Sequence, residues 1–302
     1  MVVNWNGGDH NRACIASLLA QGLQPSQILF VDNASSDGSR ERVAAEHPGV
    51  PILANTSNTG FGHGSNLGIE RALGEGAHAV FLVNNDVVLP PGTLEGLSAR
   101  FAVRAELGIV GPRILYARDP ARVWAAGGTL TFRQNLSTLR GHGAPDGPRF
   151  RERVDVDYVA GCAMLVRRAV FERIGLLDGR YFAYHEDLDF CITARAAGFA
   201  VECDGTLAAL HDAHASTGGG YSPRRKYMMG VNSVWFLRRH GTPLRWARFV
   251  AFDVLPLPLL VVGGLVSGRW RGALAKALGT WHGALGRRVD AAAIEAGASR
   301  LW

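Results

Sequence analysis

No CxxC pair joins the four cysteines of this 302-residue chain, Cys14, Cys162, Cys191 and Cys203. Neither a disulfide framework nor a cysteine-built metal site is indicated. With no signal peptide ahead of them, these thiols read as buried groups in a reducing compartment. No GxxxxGK[ST] run is present, which excludes P-loop phosphate chemistry. Gly60-Phe61-Gly62-His63-Gly64-Ser65 starts like the GxGxxG fingerprint, but its sixth position is Ser65 and it follows a third strand. Val80 stands where a ribose-binding acid belongs, so a Rossmann dinucleotide fold is not expected. Internal repeats, low-complexity tracts and a nucleic-acid module are missing too, and no nucleic-acid partner is expected. Nor is there an unbroken run of about 20 apolar residues of the kind a bilayer-spanning helix needs. Residues 249–266 are mostly apolar, but Asp253, Pro256, Pro258 and Gly263-Gly264 interrupt them.

What is present begins with an ordinary globular composition. Hydrophobic residues make up 47% and charged residues 19%, which excludes global disorder. The net charge of +6 is unevenly placed: from Tyr221 onward 13 Lys and Arg face 3 Asp and Glu, a balance of +10, and the rest carries −4. The basic character therefore belongs to the tail. Arg245, Arg248, Arg269 and Arg271 flank its apolar stretch, with Trp246, Trp270 and Trp281 nearby. That pattern suits an interfacial or re-entrant segment on an anionic membrane. A buried pair of helices in a soluble body is the alternative.

Along the chain, β-type runs alternate with helical ones. Strands are expected at 2–5, 28–31, 50–53, 79–83 and 108–115, with helices at 9–21, 39–46, from about 66 to 73, and 92–104. This alternation is the mark of an α/β chain with a mostly parallel central sheet and crossover helices. Residues 116–153 read as an irregular or antiparallel insertion. A buried strand at 159–166, a helix at 168–174, a helix from Glu186, short strands at 199–203 and 206–210, and a helix opened by Ser222-Pro223 complete the body.

Polar residues gather where the early strands end. They are Asn4 and Asn6, the run from Asp32 to Asp37, the run from Asn55 to Asn66, and Asn84-Asn85-Asp86. In a parallel sheet such loops share one edge and converge on one crevice. Asp86 is a lone acid between the apolar runs Phe81-Leu82-Val83 and Val87-Val88. It is either a turn former or a ligand for a divalent cation on a nucleotide's phosphates. Further on, His185-Glu186-Asp187-Leu188-Asp189 opens a helix with three acids. Dipole compensation explains part of this, and a carboxylate placed there can also take a proton from an attacking hydroxyl. His211 and His214 stand three apart at a strand end, candidates for a metal ligand.

Taken together, VVNWNG, VDNASSDGS, NTGFGHGSNLGI, FLVNNDVVLPPG, GCAMLVRR, FAYHEDLDFC and the His211-x4-Ser216 pattern resemble glycosyltransferase family 2, and within it the bacterial rhamnosyltransferase-like branch. The resemblance implies a GT-A nucleotide-sugar fold with a C-terminal helical tail. It divides the chain into a catalytic domain at 1–240, with a nucleotide half at 1–115 and an acceptor half at 116–240, and a tail at 241–302. It implies that Asp32 bonds the base of a uridine or thymidine diphosphate sugar, with Asn4, Asn33 and Asn58 nearby. Trp5 and Asn6 match the first-strand motif, and Gly60, Asn66 and Asn85 join them as candidate nucleotide contacts. Asp86 would be the metal-binding acid and His211 the late metal ligand, holding Mg²⁺ or Mn²⁺. Asp187 would deprotonate the acceptor hydroxyl, with Glu186 and Asp189 supporting its loop. Two positions depart from the family pattern, Val231 before Asn232 and Thr193 in the acidic helix.

The implied activity is inverting transfer from a dTDP- or UDP-sugar, dTDP-rhamnose first, to a hydroxyl of a cell-surface glycan or lipid-linked acceptor. UDP-galactofuranose, UDP-galactose and UDP-N-acetylglucosamine remain open as donors. The implied place is the cytoplasm, peripheral at the inner face of the cytoplasmic membrane. A sugar nucleotidyltransferase would be expected to carry a basic phosphate loop near its start, and Asn4-Trp5-Asn6-Gly7 has no Lys or Arg. A non-catalytic membrane-associated scaffold is the other rival, against which the combined set of Asp86, Asp187 and His211 speaks.

Overall fold

The computed structural model describes residues 1–213, 222–295 and 297–302; His214 and Ser216, singled out above, lie outside them. The first half alternates as its sequence pattern requires: β1 (Val2–Asn4), α1 (His10–Leu19), β2 (Phe30–Asp32), α2 (Ser39–Glu46), β3 (Ile52–Ala54), α3 (Gly60–Gly74) and β4 (Ala79–Asn84). A two-residue strand β5 (Val87–Val88), α4 (Thr93–Val103) and the long β6 (Leu107–Tyr116) follow. The segment expected to be irregular or antiparallel holds β7 (Asp119–Ala125), β8 (Gly128–Leu130), β9 (Ser137–Leu139) and β10 (Arg153–Asp155). Then come β11 (Ala163–Arg167), α5 (Arg168–Ile174), α6 (Glu186–Ala196) and β12 (Ala200–His211). Helices close the chain: α7 (Pro223–His240), α8 (Pro243–Phe249), α9 (Leu257–Ser267), α10 (Trp270–Ala284) and α11 (Ala291–Ile294).

The main sheet runs β10-β12-β6-β11-β4-β1-β2-β3, with β5 paired to β12 and β7 to β6. Its N-terminal half, β4-β1-β2-β3, is parallel. β11 enters antiparallel between β4 and β6, and β12 runs parallel to β6, so the sheet as a whole is mixed. Side chains alternate across it as the two-residue strand period requires. Val2, Phe30, Phe81 and Val83 point into one core, while Val31, Val80 and Leu82 point into the other. Helices cover both faces, which is why these strands read as continuous apolar runs.

Residues 199–210, expected as two short strands, form the single strand β12, with a register shift against β6 between Asp204 and Ala208. β11 is shorter than expected. Residues 159–162 are buried but lie outside any ladder, and Gly161 offers its N–H to a side chain instead. All four cysteines are free and buried. Burial pushes the Cys14 thiol up to about 12, in keeping with an inert packing role.

The tail divides into a packed helix and an exposed one. α10 packs along α7, with Gly230, Gly279 and Gly283 allowing close backbone approach: a Cβ at Gly279 would stand 2.1 Å from the Tyr227 carbonyl oxygen. α9 instead presents its aliphatic side chains outward, with Leu259 77% and Val266 95% exposed.

Candidate active site

Asp86 and His211 meet because of one short ladder. β5 pairs antiparallel with the end of β12, placing Val87 opposite His211, and the Asp212 N–H donates to the Asp86 carbonyl at 3.0 Å. Asp86 therefore sits one residue outside the ladder with its carboxylate against the imidazole, His211 Nε2 lying 3.3 Å from Asp86 Oδ1. Both residues are buried. The Trp124 ring, from β7, stands edge-on to His211 with centroids 4.7 Å apart, fixing the imidazole plane.

This pair borders a cavity of about 660 Å³ at the carboxyl ends of the parallel strands. Asn33, Asn58, Gly60 and Asn85 line one part of it, with the exposed Trp5 at the rim. Glu186 and Asp187 reach it from the start of α6. Of the twelve candidate ligand and catalytic residues Asn4, Asn6, Asp32, Asn33, Asn58, Gly60, Asn66, Asn85, Asp86, Glu186, Asp187 and His211, eight thus share one cavity.

The other four are placed differently. Asn4 is fully buried, with its Nδ2 2.9 Å from Asp32 Oδ1, Ser35 Oγ and Ser39 Oγ. Its Oδ1 accepts from Asn85 Nδ2 at 2.9 Å and from the Gly7 N–H at 3.1 Å. Gly7 is required there: a Cβ would lie 1.9 Å from Asn85 Nδ2. Asp32, also fully buried, accepts in addition from the Ser35 N–H. Asn6 is exposed and accepts from the Ser36 N–H at 2.8 Å. These three residues tie the ends of β1, β2 and β4 together and hold the rim loops in register. Asn66 exchanges two hydrogen bonds with the Leu177 backbone, so it braces α3 against the chain before α6 and does not line the cavity.

Asn33 works similarly but at the wall. Its Nδ2 donates to Asn58 Oδ1 and to the Gly60 carbonyl, each at 2.9 Å, and its Oδ1 accepts from Asn55 and Thr59. Gly60 has φ of +83°, and a Cβ would lie 2.3 Å from the Phe182 carbonyl oxygen, so this glycine is fixed by close backbone approach.

The acidic end of α6 is held under strain. Tyr184 and His185, immediately before the helix, have φ of +71° and +73°, a left-handed pair that non-glycine residues rarely form. The fully buried Asn232 of α7 pins them, donating to the Ala183 and Tyr184 carbonyls at 2.8 and 2.7 Å. Asp189 is clamped by His240 at 2.7 Å and Arg239 at 2.9 Å. Asp187 is thereby aimed into the cavity, its Oδ2 accepting from the Gly161 N–H at 2.9 Å and its Oδ1 from the Leu188 N–H at 2.8 Å. Burial pushes the Asp187 carboxyl up, opposed by those two N–H groups. Burial and then the Asp187 charge push Glu186 well above the usual carboxylate range. Glu186 Oε2 is buried with no hydrogen-bond partner among the described residues. Burial likewise lowers His185 to about 4, so that imidazole is neutral near pH 7.

The Asp86 carboxylate thus faces the His211 imidazole, and Asp187 presents a second carboxyl group to the same cavity. The comparisons with known proteins decide the class. The glycosyl transferase family 2 model matches residues 1–175, more than half of the chain. The chain belongs to glycosyl transferase family 2. It is a glycosyltransferase with the GT-A fold. The N-acetylglucosaminyl-diphospho-decaprenol L-rhamnosyltransferase of Mycobacterium tuberculosis (strain ATCC 25618 / H37Rv) is 29% identical over 276 residues, covering 82% of this chain and 87% of that protein. The low-salt glycan biosynthesis hexosyltransferase Agl10 of Haloferax volcanii is 26% identical over 193 residues, 62% of this chain and 59% of that one.

Among solved structures, the mannosyltransferase PcManGT from Pyrobaculum calidifontis, in complex with GDP-Man and Mn²⁺, superposes with a TM-score of 0.59 at 13% identity, covering 95% of this chain and 86% of that one. S. aureus TarS residues 1–349, in complex with UDP-GlcNAc, gives 0.56 at 15% identity, with 90% and 78% covered. These likenesses establish the fold.

In this glycosyltransferase the walls outside those motifs come from the insertion, the segment before β11, α7 and α11. They include Trp124, Asn135, Ser137, Tyr158 and Met228. For Trp124, Asn135 and Ser137 the sequence signal is aromatic and polar content in a segment that otherwise reads as irregular.

Proposed function

We propose that this family-2 glycosyltransferase is an inverting, metal-dependent enzyme that moves a sugar from a dTDP- or UDP-sugar to a hydroxyl of a lipid-linked glycan. The observation that carries this reading is the placement of the Asp86–His211 pair and of Asp187 around one cavity at the strand ends. dTDP-rhamnose is the first donor to test, because the mycobacterial relative is an L-rhamnosyltransferase acting on a diphospho-decaprenol glycan.

Among the described residues no group of three or more His, Cys, Asp and Glu side chains gathers to hold a metal. Asp86 and His211 still fit a divalent cation, supplying one hard oxygen and one imidazole nitrogen. Mg²⁺ or Mn²⁺ commonly completes such a pair with phosphate oxygens and water. When bound, the ion neutralises charge that builds on the departing diphosphate.

The donor lies against the loops after β1 to β4, where Asn33, Asn58 and Asn85 offer amide groups. The acceptor lies against α6 and the second-half walls. Asp187 takes the proton of the acceptor hydroxyl, whose oxygen forms the new bond to the anomeric carbon. The bond from that carbon to the diphosphate oxygen breaks on the other side, the nucleoside diphosphate leaves with the electron pair, and Asp187 is left protonated.

The apolar, arginine-flanked tail supports a location at the inner face of the cytoplasmic membrane. Residues Pro243–Ser267 form the one helical stretch, among those described, long and apolar enough to cross a bilayer, and most of its apolar part is exposed. A π-helical turn at Val250–Val254 and prolines at 256 and 258 divide it, which favours lying in the interface over spanning.

The test is a panel of dTDP-, UDP- and GDP-sugars, assayed for slow hydrolysis with Mn²⁺ and no acceptor. Hydrolysis of a dTDP- or UDP-sugar that needs the ion is expected. No hydrolysis of any donor, with no nucleotide binding, overturns the reading.

A further inference from the structure

The insertion carries a second strained turn, far in sequence from the one before α6. Phe132, Asn135 and Leu136 have φ of +56°, +56° and +64°, three left-handed non-glycine residues within five positions. Such a turn persists only where its surroundings over-determine it. Part of the hold is local: the Thr131 and Phe132 N–H groups both donate to the Leu136 carbonyl at 2.8 Å.

The rest comes from the tail. Arg245 of α8 stacks over the Phe132 ring at 4.7 Å, and Arg133 stacks over the Phe252 ring at 4.9 Å. Asp253, in the π-helical turn, accepts from the Asn135 N–H at 3.3 Å. Lys276 of α10 donates to Asn135 Oδ1 at 2.9 Å and is ion-paired to Asp253. Lys276 and Asp253 are only 5% and 3% exposed, a burial that charged groups rarely accept without a structural reason. The turn runs straight into β9, and Asn135, Ser137, Thr138 and Leu139 all line the active-site cavity. Ser137 is joined across that cavity's wall to Tyr158 by a 3.0 Å hydroxyl contact. The tail therefore meets the cavity at two places, through Asn135 and directly through Ile294 of α11.

We infer that Lys276 and Asp253 are positioning residues for the acceptor: from the tail they hold the Asn135 turn so that residues 135–139 form the wall against which the acceptor docks. This rests on the reading of the cavity as a glycosyl-transfer site. The donor loops are not involved, since they come from β1 to β4 and none of their residues is bonded to Lys276 or Asp253 among the contacts described. A tail seated on a membrane would, through the same contacts, fix the acceptor wall from the side on which a lipid-linked acceptor arrives.

Three forms of the full chain test this: wild type, Lys276→Met and the paired Asp253→Leu/Lys276→Met. Removing one partner strands a buried charge, whereas removing both leaves an apolar contact that is expected to restore thermal stability. Transfer is read with dTDP-rhamnose and N-acetylglucosaminyl-diphospho-decaprenol as probes. Because a hydrogen bond from a charged group to Asn135 is lost, the acceptor KM should rise roughly tenfold in both variants. The donor KM and kcat at saturating acceptor should stay near wild type. An acceptor KM that returns to wild type in the paired variant would show a purely structural role and overturn the inference.

Hydrogen–deuterium exchange separates this from the functional reading. Amides of residues 132–139 should exchange faster in both variants, and those of residues 30–37 and 55–62 should not change. If the wild type turns over neither probe, the proposed substrates fail, and the exchange result alone decides the inference. Unchanged exchange at 132–139 overturns it.

Discussion

Glu186 and Asp187 are adjacent in sequence and both desolvated by burial, yet they are hydrogen-bonded differently. Asp187 keeps two backbone N–H donors on its carboxylate, which favour the charged form against burial. Glu186 has a buried oxygen without a partner among the described residues, and it feels the Asp187 charge. With Asp187 as the proposed base, its titration is expected to place the acidic limb of the kcat profile above the ordinary carboxylate value of about 4. Asp187→Asn should lower transfer by roughly 10²–10⁴-fold, the usual span for a general base, while leaving nucleotide affinity unchanged. Steady-state rates beside a UDP titration check both.

Glu186 gives a stability prediction of definite sign. A carboxyl held above its unfolded value favours folding below that value, and the benefit is lost as pH rises through the folded one. Near pH 7 Glu186 therefore costs stability. Glu186→Gln should melt higher than wild type at pH 7 to 8, and the gap should close as pH falls toward about 4. Thermal melts across that range decide it; a gap that does not vary with pH would be contrary.

At the scale of elements, the site depends on how α7 holds the entry to α6. Asn232 satisfies two carbonyls of a left-handed turn from a fully buried position. Asn232→Ala strands them, at a cost of about 1–3 kcal/mol. Urea unfolding should show that loss, and transfer should fall while dTDP or UDP binding holds.

This clamp was out of reach of pattern reading. In the sequence Asn232 stands out only as the second half of an altered family pair, and a backbone contact made 49 residues away leaves no periodic trace. The parallel half of the sheet was legible, because β2, β3 and β4 are short apolar runs that stop at polar residues. So was the meeting of Asp86, Asp187 and His211, through motifs that resemble a family. The orientation of side chains at strand ends was not legible. Asn4 and Asp32 face inward to each other, and Asn66 faces Leu177, although all three have the composition of ligand contacts. β12 was read as two strands because Gly205 interrupts its apolar pattern, where the chain makes a register shift and continues.

For the molecule as a whole, charge and apolar surface are segregated. The tail carries the excess of arginine, and α9 exposes Leu259, Val262, Leu265 and Val266 on one outward ridge. The protein should sediment with vesicles containing anionic lipid and release as salt rises, since each basic group near such a surface contributes about 1 kcal/mol and is screened. Val262→Glu/Val266→Glu should weaken that binding without changing nucleotide affinity; equal sedimentation of the two forms would place α9 elsewhere.

On the proposed reading one cavity divides its labour, with Asp86 and His211 holding the diphosphate through a cation and Asp187 serving the acceptor. Calorimetric titration of dTDP and UDP into wild type, Asp86→Ala and Asp187→Asn, each with and without Mn²⁺, tests it most directly. We expect wild type and Asp187→Asn to bind alike and only with the ion, and Asp86→Ala to lose that dependence together with most of its affinity. Binding that is the same with and without Mn²⁺ in all three proteins would contradict it.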